Sequence, residues 1–302
     1  GMTYKAAIAG LNLGGGKAVI IEDKNTKKNE SYFRSFGRFV EGLGGRYITA
    51  EDVGTSVRNM EWVRMETNYV VGISRALGGS GDPSVVTAYG VYIGMQACIK
   101  EKLNKSSLDG LKIAIQGLGQ VGMYLVEYLS KHDVEIYATD INNDKLEEVA
   151  NKYSVKKVNP DDIYDLDIDI FAPCALGAII NDNTIPRLKC KIIAGGANNQ
   201  LQNAKVHGIM LKEGGILYAP DYAINAGGLI NVANELEGYN RQRAFDHAED
   251  IYDTLMEIFK RSKRDNITTN KASDFQAEDR IKKIAGLKSF YTISKKSIFR
   301  NK

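Results

Sequence analysis

The sequence predicts an α/β protein of two domains, one of them built on a doubly wound parallel sheet. The chain has 302 residues, which is more than a single hydrophobic core usually serves. After Gly110, short apolar runs alternate with helical patterns, an order typical of a parallel sheet with crossover helices. One of these runs leads directly into a glycine-rich turn that opens a helix. A second, smaller α/β unit is expected before this alternation begins.

The first part of the chain mixes strand and helix patterns. Its opening segment, 1–22, is expected to form two strands joined by a glycine turn, with the Val19–Ile21 run as a buried strand. A hinge is expected just before the turn-rich loop 78–84. Between these segments the predicted elements are a helix over 28–43, a short strand over 46–50 and a helix over 56–66.

The second part shows clearer periodicity. From Pro83 a long helix is expected to run to about Lys102, with proline in its first turn. Apolar positions spaced mostly by three and four predict a helix over 241–265, and a final helix over about 276–289 is expected to pack back on the first domain. The predicted strands are Lys112–Ile115, Val134–Thr139, Ile168–Phe171, Lys191–Ala194 and Gly215–Tyr218.

A glycine fingerprint follows the first of these strands. Gly117, Gly119 and Gly122 form a GxGxxG motif that opens a predicted helix, and the next strand leads to Asp140. The first two glycines allow a tight turn and close approach to a pyrophosphate, and the third lets the helix pack on the strand. An acidic residue in this position accepts hydrogen bonds from ribose hydroxyls and repels a 2′-phosphate, which favours NAD over NADP. The alternative is a glycine-rich turn that binds no ligand.

A second glycine run, Gly14–Gly16, ends directly in Lys17. Because glycines permit close approach, Lys17 is expected in a tight, poorly hydrated place, where burial and nearby positive charge lower its pKa. Lys5 lies in the preceding apolar segment. If the two segments are adjacent strands, both ammonium groups face one cleft. The alternative is a glycine hairpin with a solvated lysine.

Composition and charge exclude several classes of protein. The net charge of +3 is too small to favour nucleic-acid binding. No apolar run approaches the ~20 residues needed to span a bilayer, and no signal peptide is recognisable. Cys98, Cys174 and Cys190 lack metal-ligand spacing and are expected to be reduced, buried thiols of a cytoplasmic protein. The 3 histidines belong to no motif and are expected on the surface, so no metal site is predicted.

Further motifs resemble the glutamate/leucine/phenylalanine/valine dehydrogenase superfamily, in order and over the whole chain. Within it the leucine dehydrogenases are most similar. The resemblance implies a Rossmann-type domain for NAD over 75–269, an α/β substrate domain over 1–74 and 270–302, and a catalytic cleft between them. The matching motifs are Lys5, Gly14–Lys17, Thr49–Thr55, Pro83–Val91, Ala172–Gly177, Asn198–Leu201 and Ala219–Gly228.

The resemblance also implies an activity, namely NAD-dependent oxidative deamination of leucine, valine and isoleucine to 2-oxo acids and ammonia, and the reverse reductive amination. Lys5 would bind the substrate carboxylate, Lys17 would be the catalytic lysine, and Asp52 would exchange protons at the amino nitrogen. A cytoplasmic homo-oligomer is implied, an octamer if it assembles as leucine dehydrogenases do. The other implied site residues are Ala50, Leu229 and Val232 in the side-chain pocket, Thr87 and Asn199 at the nicotinamide, and Gly117, Gly119, Gly122 and Asp140 at the adenosine and phosphates.

Two features depart from the family pattern. A sizeable segment normally precedes Lys5, whereas this chain begins just before it. Two explanations of this start are open: the chain has been shortened, or Met2 was taken as the start codon and Gly1 is the remnant of a tag. Leu229 stands where leucine dehydrogenases usually carry a smaller valine, which would narrow the pocket.

Other functions are compatible with parts of the sequence. Phenylalanine dehydrogenase is the nearest rival, because both substrates fit an apolar pocket and size discrimination is worth only ~1–3 kcal/mol per methylene. Glutamate is disfavoured, because burying its carboxylate against Ala50, Leu229 and Val232 would cost several kcal/mol. A nucleotide-binding fragment without catalysis is the alternative from another class, and NADH titration beside a deamination assay distinguishes it.

Overall fold

The computed structural model describes residues 1–52 and 54–287. Its centre is a six-stranded parallel sheet with strand order β3-β2-β1-β4-β5-β6. The strands are β1 Lys112–Gln116, β2 Glu135–Thr139, β3 Lys156–Lys157, β4 Ile170–Pro173, β5 Ile192–Ile193 and β6 Leu217–Tyr218. The helices are α1 Met2–Ile8, α2 Glu30–Glu41, α3 Val57–Arg64, α4 Ser84–Leu103, α5 Gln120–Leu129, α6 Asn143–Tyr153, α7 Ala204–Glu213, α8 Asp221–Ile224, α9 Gly227–Ala233, α10 Arg241–Asp265 and α11 Thr269–Ala285.

The sheet confirms the predicted α/β class and its five predicted strands. The central strand β1 pairs with β2 on one side and with β4 on the other, so Ile113 lies opposite both Ile136 and Ile170. The strand order reverses between β1 and β4, and in such sheets ligands bind at this switch point, beyond the carboxyl ends of the strands. Strand β3 was not predicted, because Lys156 and Lys157 are exposed and carry no apolar signal.

The large core covers the sheet with long helices. Helix α4 follows Pro83, as predicted, and is buried on nearly every side because α5, α9 and α10 pack around it. Helix α10 has the predicted limits and buries one apolar stripe. Helix α11 begins earlier than predicted, because Thr268 caps its first turn by accepting from the Lys271 N–H. The end of its predicted range, 288–289, lies outside the described residues.

A separate small core holds the first α/β unit. Phe33 of α2 packs with Met60 and Val63 of α3 and with Val70 and Ile73 of the following segment. Both predicted helices are confirmed, and each begins at a polar cap of the expected type. The predicted strand over 46–50 is reduced to a single parallel bridge between Thr49 and Val70.

The prediction of two strands over 1–22 is wrong. Residues 2–8 form α1, and Gly10, with φ +73°, ends it because the Leu11 N–H turns back to donate to the Ala6 carbonyl at 2.9 Å. Gly10 therefore acts as a helix stop. The Val19–Ile21 run is not buried: Val19 is 81% exposed and Ile21 is 94% exposed. Within the described residues no neighbouring strand pairs with this run, and a strand forms only with such a partner.

Helix α1 instead joins the large core. Ala7 and Ile8 pack into it together with Ala272 and Ala277 of α11. The Tyr4 hydroxyl donates to Glu278 at 2.8 Å, which ties the two helices side by side. The chain therefore returns at α11 to the segment with which it began.

Candidate active site

The glycine run 14–16 brings Lys17 to the first turn of α1. A Cβ on Gly15 would lie 2.2 Å from the Thr3 nitrogen, and one on Gly16 would lie 2.8 Å from the Tyr47 ring. A side chain at Gly15 would push the loop away from α1, and one at Gly16 would displace the Tyr47 ring. The close approach expected of the glycines is therefore present, although the groups approached belong to the protein itself, the Thr3 backbone and the Tyr47 ring.

Lys17 forms an ion pair with Asp52, so two residues that lie far apart in sequence meet. The lysine side chain is 56% exposed and the aspartate side chain 47% exposed, which contradicts the expected poorly hydrated place. The reason is that the Val19–Ile21 run behind Lys17 does not cover it. Asp52 is held by its backbone, because its N–H donates to the Thr55 hydroxyl at 2.8 Å.

Lys5 is the half-buried cation of the site, on α1. Its ammonium donates to Asn198 Oδ1 at 3.5 Å. Burial lowers the pKa of Lys5 to about 8, the negative charge of Asp221 opposes this shift, and the positive charge of Lys17 adds to it. Lys5 and Lys17 lie in one region, as expected, because the loop before Lys17 packs with Gly15 against the Thr3 backbone of α1, two residues from Lys5, although the intervening structure is not a hairpin.

Asn198 is in turn held by a buried asparagine that the sequence analysis did not single out. Asn225 is 2% exposed. Its side-chain nitrogen donates to Asn198 Oδ1 at 2.7 Å and to the Gly196 carbonyl at 3.1 Å. Gln200 braces the same loop by donating to the Gly195 carbonyl at 2.8 Å. Both residues lie inside motifs that were recognised, but a role in bracing a loop leaves no signal in a single sequence.

Asn199 and Thr87 border this loop from two sides. Asn199 is exposed and adopts a left-handed backbone conformation with φ +50°, which asparagine tolerates better than most residues. Thr87, in the first turns of α4, donates its hydroxyl to the Pro83 carbonyl at 2.9 Å. A Cβ on Gly228 would lie 2.6 Å from this hydroxyl. Thr87 therefore faces the start of α9.

Helix α9 carries two of the three residues predicted to line the side-chain pocket. Leu229 is half-buried, and Val232 is 9% exposed. The helix can approach α4 closely because residue 227 is a glycine. A Cβ on Gly227 would lie only 2.2 Å from the Val86 carbonyl oxygen. The third residue, Ala50, is half-buried and lies two positions before Asp52.

The fingerprint glycines adopt the geometry that a bound dinucleotide requires. Gly117 has φ +100°, and a Cβ there would lie 2.7 Å from Ala175. A Cβ on Gly122 would lie 2.0 Å from the Gly117 carbonyl oxygen. Gly119 faces open space and caps α5 without a side-chain hydrogen bond. The first N–H groups of α5 are therefore available to a phosphate.

Asp140 closes this turn from the neighbouring strand. Its carboxylate accepts from the Leu118 N–H at 2.6 Å and from the Asn142 N–H at 2.8 Å. Each carboxylate oxygen has two acceptor positions, so capacity for ribose hydroxyls remains. Close by, the Thr139 hydroxyl is buried without a hydrogen-bond partner in the described part of the chain. The open helix terminus, the required glycines and the half-buried carboxylate fit a pyridine dinucleotide.

The histidines and cysteines contribute little to this region. His207 is only 2% exposed, which contradicts its expected surface position; it accepts from the Asn203 N–H at 3.0 Å and lies beside Asp182. The three cysteines are free, and burial raises the pKa of Cys174 to about 11. Over residues 1–52 and 54–287, no cluster of His, Cys, Asp and Glu has the geometry of a metal site. In the same residues no helix combines the length and the apolar character that a membrane span needs.

Fold and site together define an α/β dehydrogenase that uses a pyridine nucleotide. Residues 1–69 match the family described as Glu/Leu/Phe/Val dehydrogenase, dimerisation domain. Residues 78–143 and 134–296 match Glutamate/Leucine/Phenylalanine/Valine dehydrogenase. The chain belongs to this family and is an amino acid dehydrogenase, as the motifs indicated.

Individual relatives span nearly the whole chain. It is 53% identical to leucine dehydrogenase of Thermoactinomyces intermedius, over 100% of this chain and 83% of the relative. It is 56% identical to leucine dehydrogenase of Geobacillus stearothermophilus, over 93% and 76% respectively. The crystal structure of L-tryptophan dehydrogenase from Nostoc punctiforme superimposes with a TM-score of 0.82 at 47% identity, over 93% of this chain and 80% of that one.

Proposed function

We propose that this chain catalyses NAD-dependent oxidative deamination of branched-chain aliphatic L-amino acids, and the reverse reductive amination. In the forward direction an L-amino acid, NAD⁺ and water give a 2-oxo acid, NADH, ammonium and a proton. The observation that supports this most is the meeting of Lys5, Lys17 and Asp52 beside the 196–200 loop. One cation for a carboxylate and a lysine–carboxylate pair for proton transfer are the groups that this reaction needs.

Each residue of the trio has a proposed task. Lys5 binds the substrate carboxylate, and Asn198 helps to orient the Lys5 ammonium. Lys17 takes the proton from the water that adds to the imine carbon. Asp52 exchanges protons with the amino nitrogen. The incoming ammonium group of the amino acid competes with Lys17 for the Asp52 carboxylate, so substrate binding would release Lys17 from its ion pair.

NAD is the proposed cofactor. When bound, its nicotinamide supplies the two-electron acceptor for the hydride that leaves Cα. Gly117, Gly119 and Gly122 would hold the pyrophosphate at the start of α5, and Asp140 would accept from the ribose hydroxyls. A 2′-phosphate beside this carboxylate would add repulsion between like charges, so NADP is expected to bind less well. Thr87 and Asn199 are proposed to border the nicotinamide.

The proposed pocket lining is apolar and comes from Ala50, Leu229 and Val232. It favours leucine, valine and isoleucine over glutamate, whose carboxylate would be buried without a partner. An aromatic substrate is the second candidate, because L-tryptophan dehydrogenase of Nostoc punctiforme is 49% identical to this chain over 281 residues. Leu229 narrows the pocket relative to valine, which favours the aliphatic substrates.

A substrate panel tests the proposal. We expect kcat/KM with NAD⁺ to be highest for leucine, valine and isoleucine, lower for phenylalanine and tryptophan, and at background for glutamate. A higher kcat/KM for an aromatic substrate would replace the aliphatic assignment with the second candidate. NADH binding without turnover of any amino acid would instead support a nucleotide-binding fragment.

The assembly, domain limits and location are also proposed. We propose a homo-oligomer, an octamer if it assembles as leucine dehydrogenases do; self-association is supported by large apolar side chains on the first unit, with Phe39 79% exposed and Met65 60% exposed. Light scattering on the purified protein measures its mass directly. The proposed substrate domain is 1–74 with 270–302, and the proposed nucleotide domain is 75–269, with α1 and α11 packed against the latter. A cytoplasmic location is consistent with three free cysteines.

A further inference from the structure

The crossover segment that joins the small core to α4 has little regular structure of its own. It covers residues 72–83, begins inside the small core beside Ile73 and reaches α4 through the 3-10 turn Arg75–Leu77. Three of its glycines, Gly72, Gly78 and Gly81, have positive φ values of +79°, +86° and +69°. Its turns are held by a few backbone bonds, such as the Gly81 N–H donating to the Ile73 carbonyl at 2.9 Å. Such a segment needs an external contact to fix its direction.

Glu235 supplies that contact at two points. Its Oε1 atom accepts from the Gly72 N–H at 2.9 Å and from the Ser80 N–H at 2.7 Å. Ser80 is 0% exposed, so its N–H has no access to solvent while the carboxylate is in place. Leaving a buried amide without its charged acceptor costs more free energy than an ordinary hydrogen bond contributes to stability. One carboxylate oxygen therefore closes the loop between the two ends of the crossover.

The carboxylate is itself held firmly. Glu235 lies in the 3-10 turn Asn234–Glu237, which directly follows α9. Arg243 of α10 donates to the Asn234 side chain at 2.6 Å and to the Gly238 carbonyl at 2.7 Å, so both flanks of the turn are anchored. Glu235 therefore transmits the position of α9 and α10 to the crossover.

On its other side the crossover touches the segment that carries Asp52. A Cβ on Gly72 would lie 3.4 Å from the Glu51 nitrogen, which is ordinary packing contact. Thr49 and Val70 pair next to this point, the Val71 N–H donating to the Thr49 carbonyl at 2.9 Å. A continuous path of contacts thus runs from α9 through Glu235 and Gly72 to Glu51 and its neighbour Asp52.

We propose that Glu235 is a positioning residue that fixes the Asp52 segment relative to α9 by clamping the crossover at Gly72 and Ser80. This inference rests on the proposed function, because Asp52 and the α9 pocket must act on one substrate molecule. Loss of the clamp would leave the part of the dinucleotide site that binds the pyrophosphate and ribose intact, since residues 116–140 make no contact with Glu235. It would misalign the amino acid with its proton-transfer group.

Three variants test the clamp. Glu235→Ala leaves both amides without their acceptor, whereas Glu235→Gln keeps a neutral oxygen in place. Glu237→Ala is the matched control, because Glu237 is an exposed carboxylate in the same 3-10 turn. For Glu235→Ala we expect kcat to fall at least about tenfold, in line with two lost bonds to a charged acceptor. The kcat of Glu235→Gln should lie between those of Glu235→Ala and the wild type, and the kcat of Glu237→Ala should match the wild type. The Kd for NADH should be unchanged in all three variants.

A second readout is independent of activity. Arg75 lies in the exposed turn of the crossover, so native-state trypsin cleavage after Arg75 reports release of the segment. Glu235→Ala should be cleaved at least about tenfold faster than Glu237→Ala, again from the loss of both bonds. Unchanged kcat and cleavage in Glu235→Ala, with only a lower Tm, would overturn the proposal. If the wild type turns over no amino acid, the proposed function fails, and unchanged cleavage at Arg75 still decides against the clamp.

Discussion

Two glycine-rich loops support the proposed chemistry, and they hold their conformations by different means. The fingerprint loop 117–122 packs on itself: Gly122 lies against the Gly117 carbonyl, and Asp140 of the adjacent strand end binds the same turn. The loop 14–17 packs on distant parts of the chain, Thr3 at the start of α1 and Tyr47 after α2. The first loop is a local motif, and the second depends on how the first unit assembles.

The largest expected effect falls on the loop 14–17. Replacing Lys17 with Ala should lower kcat for leucine by roughly the 10²–10⁴-fold typical of a lost general base, with little change in NADH Kd. Asp52→Asn should also lower kcat, because it removes the other member of the ion pair. The measurement is kcat and KM from pH 7 to 11. Near-native kcat with an unchanged pH profile in Lys17→Ala would leave this loop a purely structural role.

Matched glycine substitutions compare the two loops directly. Gly122→Ala should abolish NADH binding, because its Cβ would lie 2.0 Å from the Gly117 carbonyl oxygen. Gly119→Ala meets no protein atom within 4 Å, so the turn should keep its conformation, but the added Cβ would lie in the space proposed for the pyrophosphate and should weaken NADH binding. Gly15→Ala should lower kcat by displacing Lys17, since its Cβ would lie 2.2 Å from Thr3, whereas Gly14→Ala faces open space.

NADH fluorescence measures cofactor binding, and leucine turnover measures kcat, for both members of each pair. If Gly15→Ala weakens NADH binding as strongly as Gly122→Ala does, the two loops are not independent, and the comparison fails. Equal turnover in Gly15→Ala and Gly14→Ala would show that the loop can shift without cost.

Replacing Lys5 is expected to weaken substrate binding and to stabilise the folded protein. Lys5→Met should raise KM for the amino acid at least about tenfold, because the anchor contributes to ground and transition states alike. It should also raise the Tm at pH 7, because a half-buried ammonium is removed. Burial lowers the Lys5 pKa to about 8 from an ordinary 10.5, so the folded wild type loses this proton before the unfolded chain does. Wild-type stability therefore rises with pH between these values, and the difference in Tm between Lys5→Met and the wild type should shrink as the pH rises.

Thermal unfolding from pH 7 to 10.5 measures this difference, with Lys24→Met as the control at an exposed lysine. A lower Tm for Lys5→Met at pH 7 would mean that its contact with Asn198 outweighs the cost of burial. In the wild type, KM should rise as the pH passes about 8.

The smallest expected effect concerns the choice of cofactor. Asp140→Ser should relax the preference for NAD⁺ over NADP⁺, because the serine keeps a hydrogen-bonding group and removes the charge that repels a 2′-phosphate. The ratio of kcat/KM values for the two cofactors measures it. Equal values already in the wild type would remove Asp140 from the proposed ribose site.

Helix and strand periodicity in the sequence determined most of the second domain. The stripe of apolar residues over Arg241–Asp265 and the strand–glycine–helix order at 112–129 depend on neighbours a few residues away, so each was predicted with its correct type. The fingerprint could be recognised for the same reason, because Gly117 and Gly122 constrain each other within one turn.

Only the tertiary structure decided the arrangement of the first unit and of the site. The alternation over 1–22 suggested strands, but burial of Ala7 and Ile8 against α11 favours a helix there, and Val19–Ile21 gains no strand partner in the described chain. The environments of Lys5 and Lys17 followed from this and differ from the expected ones. The bracing by Asn225 and the clamp by Glu235 join residues far apart in sequence, and a contact of that kind has no local pattern from which it could be predicted.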